Sequence, residues 1–410
     1  MLGALEEVRV LDLSRVLAGP YCTQALGELG ASVVKVEPPG LGDDTRGWGP
    51  EVGDGESAYY LATNRNKRGI VVDLKTEAGR EIVGRLIERA DVLVENFRPG
   101  TLERWGLDWP SNSARNPRLI HLAISGFGQT GRYRDRAGYD LIAQGMGGLM
   151  SVTGEEGGAP VKVGLPVADL SAGTWGIIAV LAALHARATT GRGQYLDVSL
   201  LESQIGLHVY AAGMALHRGE SPTRHGSAHQ MIAPYQAYRA KDGWLNVAVG
   251  SEKLWRLFCE GLDLDIAEDP RFADNVSRVR HRAELNHVIE PVITARTIED
   301  CLELFGELGI PAGPINDIAT LYADPWMEER DQIVRMPHPT LGTYQGAGFP
   351  VKASVTPPTP SLPPPLLGQH TVEVLRELGY PHGTVEALLA DGVVAATPDP
   401  RGASDARRAP

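Results

Sequence analysis

Cysteine is scarce. Three occur in 410 residues, Cys22, Cys259 and Cys301, far apart and with no CxxC pair or Cys/His ligand spacing. That excludes a disulfide scaffold, leaves no metal expected, and points to a reduced, cytoplasmic setting. Positive charge is short as well: 39 Lys and Arg against 51 Asp and Glu leave a formal net charge of -12. Neither nucleic acid nor an anionic membrane is therefore an expected partner, while a local basic pocket for a phosphorylated ligand is compatible with the balance. No apolar run is expected to reach the roughly 18 residues of a membrane span. The opening MLGALEEVRVLDLSR carries acids early and passes into a strand pattern, so a soluble, unprocessed chain is expected. A dinucleotide fingerprint is also missing. Gly19, Gly27 and Gly30 do not form GxGxxG directly after the first strand, which argues against a bound nicotinamide or flavin.

The chain does carry alternating strand and helix patterns. Strands are expected over 8–13, 32–36, 69–74, 91–95, 119–124 and 194–198, with helices over 21–29, 76–89 and 200–217 between and after them. A βαβ opening of this kind implies right-handed crossovers and a doubly wound parallel sheet. The expected fold class is α/β, with a Rossmann-like large domain and a smaller α+β domain. The large domain is placed at 1–217 and 366–395, a linker at 218–230, the small domain at 231–330, a return linker at 331–365, and a disordered tail at 396–410. The return linker is proline-rich over 356–365 and reads as a strap that brings the chain back to the first domain.

Candidate site residues cluster where strands end. An apolar run over 161–167 reads as a strand handing over to an Ala/Leu/Ile-rich helix at Asp169. The helix dipole and free first-turn N–H groups should keep that carboxylate ionised and oriented. An aspartate there serves equally as a helix cap and as a nucleophile towards an activated acyl group. Asn96, Phe97, Arg98 and Arg104 follow the strand over 91–95, a suitable place to stack an adenine and pair phosphates. Trp48 sits in a long Gly/Asp/Pro loop over 38–55, as a pocket wall or lid, or simply packed on the loop's own prolines.

Several stretches together carry a resemblance: RVLDLSRVLAGPYCTQALGELGASVVKVEPPGLGDDTRGWGP, NRNKRGIVVDLK, DVLVENFRPG, LIHLAISGFGQTG, ADLSAG, TTGRGQYLDVSLLES and PPPLLGQHT. They resemble the class III (CaiB/BaiF) coenzyme A transferases over nearly the whole chain, and most of all the dicarboxylate branch typified by succinate–hydroxymethylglutarate transfer. The resemblance implies that Asp169 is the catalytic nucleophile, passing through mixed-anhydride and aspartyl-CoA thioester intermediates. It implies coenzyme A contacts at Leu17, Ala18, Val72, Lys75, Asn96, Phe97, Arg98, Arg104, Tyr139 and Asp140. Trp48, Tyr59, Gly226, His229 and Gln230 match substrate-pocket positions. Coenzyme A and acyl-CoA are then substrates rather than resident cofactors, the other partner is a free carboxylic acid, and relatives form interlocked homodimers.

Two departures bear on the acid. Pro38 stands where some relatives place a CoA-contacting arginine, and a tetraglycine loop of formyl-CoA enzymes is replaced by Gly226-Ser227-Ala228-His229-Gln230. The second counts against oxalate and leaves His229 and Gln230 for a larger acid's distal carboxylate, or His229 as a solvated linker residue. Formyl-CoA:oxalate-type and carnitine-type transfer are the neighbouring alternatives. An α-methylacyl-CoA racemase is the more distant one, since its basic histidine would fall at Tyr139, a group too weakly basic near neutral pH.

Overall fold

The computed structural model describes residues 3–53 and 55–397, so all of the expected tail beyond residue 397 lies outside the described residues. The described chain divides into two compact units, one over 3–147, 164–208 and 326–397, the other over 148–163 and 209–325.

The first unit is mixed α/β around a mainly parallel sheet. In chain order it contains β1 (Arg9–Asp12), α1 (Ala18–Glu28), β2 (Ser32–Glu37), the short ladder β3 (Glu51–Val52) with β4 (Glu56–Ser57), α2 (Ala58–Thr63), β5 (Lys67–Val72), α3 (Glu77–Arg89) and β6 (Val92–Glu95). Then come α4 (Thr101–Trp105), α5 (Trp109–Arg115), β7 (Ile120–Ser125) and α6 (Asp140–Met146); α7 (Leu149–Val152) lies in the second unit, and α8 (Val167–Thr190), β8 (Tyr195–Ser199) and α9 (Leu200–Ile205) follow in the first. The sheet order is β14-β5-β2-β1-β6-β7-β8, where β14 (Val394–Ala395) is an antiparallel edge and the rest run parallel.

Alternation along the strands explains why both faces are covered. Leu11, Val34, Val36, Ile70, Val72 and Leu93 face one core, against Ile82, Val83, Leu86 and Ile87 of α3. Val10, Val33, Val92, Val94, Ile120, Leu122 and Ile124 face the other, against α1 and α8. Each such side chain contributes about 1.5–3 kcal/mol when fully buried. Thr76 caps α3 by accepting from the Gly79 N–H, and Asp108 caps α5 by accepting from Ser111. The direction of chain travel reverses between β1 and β6, and a crevice opens there beyond the strands' carboxyl ends.

Three expectations change. Residues 161–166 form no strand: Pro166 lacks an N–H to donate, Gly164 offers no side chain, and α8 starts at Val167, with Asp169 inside its first turn. The helix expected over 200–217 breaks after α9 and resumes as α10 (Tyr210–Arg218), with Val209 held at φ 40 between them. And α8 is apolar enough by length and composition to cross a membrane, 24 residues with a mean hydropathy of 1.7 in its best window, contrary to the expected lack of such a run. In the first unit it packs through Ala168, Ala172, Val180 and Ala183 into the core shared with α1 and β7.

The second unit holds an antiparallel sheet, β11-β10-β9, made from β9 (Tyr235–Arg239), β10 (Trp244–Ala248) and β11 (Ala312–Pro314). The β9/β10 hairpin turns through Lys241-Asp242, where the Ala240 N–H donates to the Gly243 carbonyl, one residue before the Asp-Gly pair would place it. Around it lie α11 (Glu252–Gly261), α12 (Asn275–Arg280), α13 (Arg282–Thr294), α14 (Ile298–Glu307) and α15 (Ile318–Ala323), with Trp255, Phe258, Phe272 and Phe305 in the core. The chain re-enters the first unit at α16 (Trp326–Glu329), makes the hairpin β12 (Ile333–His338) and β13 (Gly342–Ala347), and closes with α17 (Thr371–Glu377) and α18 (His382–Ala390). Its proline strap is bonded down: the Asn66 side-chain oxygen accepts from Ser361 and Leu362, and Glu28 accepts from the Thr359 N–H through its backbone oxygen.

Candidate active site

Asp169 is the third residue of α8, whose N-cap, Pro166, supplies no side-chain acceptor. Asp140 supplies it from 28 residues away. Its Oδ1 accepts from the Ala168 N–H at 2.8 Å, and its Oδ2 accepts from Gln144 at 2.7 Å. One carboxylate thus fixes the first turn on which the other stands. Burial, then the Asp140 charge, pushes the Asp169 carboxyl up to about 7, so desolvation outweighs the helix dipole that was expected to keep it ionised. Tyr59 stands near both charges; burial first, then Asp169 and Asp140, pushes its phenol up to about 12. Trp48 meets Tyr59 edge-on at 5.4 Å.

The cavity that Asp169 lines, about 150 Å³, is also bordered by Leu17, Ala18, Asn96, Phe97, Arg98, Gly138 and Tyr139. Two close approaches shape it. A Cβ on Gly173 would stand 2.8 Å from the Ala18 carbonyl oxygen, so glycine lets α8 lie directly on α1. A Cβ on Gly126 would stand 2.9 Å from the Gly138 Cα, so those backbones touch where both border the cavity.

A larger hollow of about 410 Å³ shares Arg15, Phe97 and Arg98 with this cavity and is lined by Val72, Lys75, Pro38 and Trp105. Phe97 packs edge-on against Trp105 at 5.4 Å. Asn96 bonds the backbone of Arg15 in both directions, donating at 2.7 Å and accepting at 2.9 Å, so it ties the turn after β1 to the end of β6. Arg104 is exposed, donates to Thr101 and borders neither hollow. Within the first unit, then, Asp169 is brought together with Leu17, Ala18, Asn96, Phe97, Arg98 and Tyr139. Val72 and Lys75 sit at the adjoining hollow. Gly226, His229 and Gln230 belong to the second unit. There Gly226 takes φ 60, the His229 Nδ1 accepts from the Met231 N–H, and Gln230 donates to the Thr223 carbonyl.

Sequence reasoning missed the charges beneath the turn. Parallel register sets Asp12 beside Lys35. Lys35 donates to Asp43 at 2.9 Å and to the Ser14 carbonyl at 2.8 Å, while Lys67 pairs with Asp12 at 3.0 Å; all four charged side chains are fully buried. Burial opposes the charge on Asp12, but Lys67, Lys35, Ser14 and Thr23 together hold its carboxyl below the ordinary range. Asp43, against the same penalty of burial, is held low by Lys35 and Thr45, and it accepts from the N–H of Val16, a β-branched residue at φ 69. The network therefore holds a strained turn that carries Leu17 and Ala18 to the cavity. The signal available was a charge in each of two apolar strands, in LDLS and VVKVE.

Comparison with known proteins identifies the family of the chain. The sequence model described as CoA-transferase family III matches residues 5–371. The chain is 41% identical over 392 residues to a succinyl-CoA:glutarate CoA-transferase of Mus musculus, covering 95% of this chain and 90% of that protein. It is 43% identical over 381 residues to a succinate–glutarate CoA-transferase of Agrobacterium fabrum, covering 91% and 95%. A crystal structure of a CaiB/BaiF family protein from Brucella suis superposes with a TM-score of 0.83 at 40% identity, over 92% of this chain and 100% of that one.

Proposed function

We propose that this chain, which belongs to CoA-transferase family III, moves coenzyme A from succinyl-CoA to a free dicarboxylic acid of the glutarate kind, with Asp169 as the group that carries it. The observation that carries the reading is Asp169 at the mouth of the smaller hollow, on a helix turn held by the Asp140 carboxylate, beside a larger space to which Arg15, Lys75 and Arg98 contribute positive charge. The activities for which the Mus musculus and Agrobacterium fabrum relatives are named supply the acids.

The chemistry follows from the groups present. Ionised Asp169 attacks the thioester carbonyl; the C–S bond breaks, giving a mixed anhydride and CoA thiolate. The thiolate attacks the aspartyl carbonyl, so Asp169 becomes a CoA thioester and the donor acid leaves as its carboxylate. The acceptor carboxylate repeats the sequence in reverse and departs as acyl-CoA, returning Asp169. No proton needs to be gained or lost overall, and each intermediate stays activated. Asp140 holds the α8 turn and raises the basicity of Asp169, which makes it the better nucleophile once ionised. The adenosine end is assigned to the larger hollow, where Phe97 and Trp105 offer ring surface and Lys75 and Arg98 offer charge for phosphates. Leu17, Ala18 and Val72 line its course, and Arg104, exposed beyond α4, is assigned an outer phosphate.

Trp48, Tyr59 and Tyr139 are assigned to the acyl group. Gly226, His229 and Gln230 are assigned to the acid's distal carboxylate on chemistry alone, by donors of suitable type. The chain is further assigned to an interlocked homodimer. What supports a second copy is exposed apolar surface in the first unit, on α6 at Leu141 and Ile142 and on α8 at Trp175 and Ile178.

The test is to incubate the protein with succinyl-CoA and a panel of free acids, including glutarate, hydroxymethylglutarate, mesaconate, oxalate and carnitine, and to identify new acyl-CoA species by mass spectrometry. Glutaryl-CoA formed by the parent and lost in Asp169→Ala is expected. Transfer that persists in the variant overturns the assignment of Asp169, and transfer only to oxalate overturns that of the acid.

A further inference from the structure

The last residue of β6, just before the turn that borders both hollows, is an acid buried at a cost. Glu95 is 5% exposed and stands opposite Ala123 of β7 in the parallel register. Burial pushes its carboxyl up to about 8, opposed by a bond from the Phe97 N–H and assisted by the charges of Glu103 and Asp197, so at neutral pH it keeps its proton. An apolar side chain would fill the end of this strand with less loss of hydration. What the carboxyl holds is therefore the question.

Its Oε2 accepts from the Phe97 backbone N–H at 2.7 Å, an ordinary length for such a bond. The turn so held carries the groups that face the larger hollow. Asn96 is bonded in both directions to the Arg15 backbone, and Phe97 and Arg98 line both hollows. Pro99 keeps Arg98 out of the helical region, and Gly100, at φ 84, leads into α4. Asn96 thus fixes the first residue of the turn and Pro99 the last; Glu95 fixes the backbone between them. It borders neither of the two hollows itself, and lines an adjoining space with His121 and Tyr195.

We propose that Glu95 is a positioning residue for coenzyme A, holding the Phe97 N–H so that the Phe97 ring and the Arg98 guanidinium are already in place for the adenosine and phosphate ends. This role rests on the transferase reading, which puts coenzyme A in that hollow.

Steady-state kinetics with succinyl-CoA and glutarate, and calorimetric titration of coenzyme A into the full-length protein, test it in the parent, Glu95→Leu and Glu95→Gln. Leucine fills the space without an acceptor. Glutamine keeps an acceptor and, like the protonated acid, carries no charge. In Glu95→Leu the KM for succinyl-CoA and the Kd for coenzyme A should rise about five- to tenfold, with kcat and the KM for glutarate within about twofold of the parent. Glu95→Gln should restore both values, and thermal melting should show Glu95→Leu folded and no less stable than the parent, since a buried carboxyl has been removed. Combining Glu95→Leu with Phe97→Ala should weaken coenzyme A binding by less than the two single losses together, because both act on one turn. Undiminished coenzyme A binding in Glu95→Leu, a fall in kcat with KM unmoved, or additive losses in the double variant would each overturn the role. A parent that neither binds coenzyme A nor transfers it would overturn the transferase reading, and this role with it.

Discussion

At Asp169 two influences act in opposite directions. The first turn of α8 favours a negative charge, while burial and the Asp140 carboxylate disfavour it, and the second pair prevails with the group near pKa 7. In the proposed reaction only the ionised form attacks, so kcat/KM should rise with pH through about 7. Asp140→Asn separates the two duties of Asp140. The amide oxygen still accepts from Ala168, the charge is gone, and the midpoint of the kcat/KM profile should move to lower pH without returning to the ordinary carboxylate range, because burial is the larger cause. An unmoved midpoint contradicts the electrostatic role. Lys35→Met addresses the buried network: it leaves Asp43 and Asp12 short of a partner, and urea unfolding should show a loss of about 3–5 kcal/mol. Asp169 could be picked out in the sequence as an acid at a helix start. Asp140 as its helix's cap, and Lys35 with Asp43, could not, because such pairs exist only after register and crossover bring distant segments together.

At the scale of the element, α8 is the part on which the site depends. It lies on α1 through Gly173, so the same contact sets the spacing between Asp169 and the turn bearing Leu17 and Ala18. Gly173→Val should lower stability by about 1–3 kcal/mol through overpacking, and should reduce kcat more than the equivalent loss elsewhere in the core. Activity retained in a destabilised variant would show that the spacing does not matter. The six parallel strands β1, β2, β5, β6, β7 and β8 were legible because short apolar runs alternate with helical patterns, whereas the β3/β4 ladder lies in a stretch that read as loop. The segment over 161–166 misled because an apolar composition resembles a strand even where Gly164 and Pro166 deny it a ladder. The break between α9 and α10 was signalled only by Gly206, which caps the end of α9, and nothing in the sequence marks Val209 at φ 40.

For the whole molecule, the proposed pairing of two copies explains why long apolar side chains on α6 and α8 lie at the surface of one chain. Light scattering at micromolar concentration should give twice 44.1 kDa; a monomer would contradict the dimer. The central claim concerns one covalent bond, and mass spectrometry of the protein quenched shortly after mixing with succinyl-CoA tests it most directly. The account predicts a CoA adduct on the peptide containing Asp169, discharged by added glutarate. An adduct on another residue, or turnover with no covalent protein species in rapid-quench samples, would contradict it.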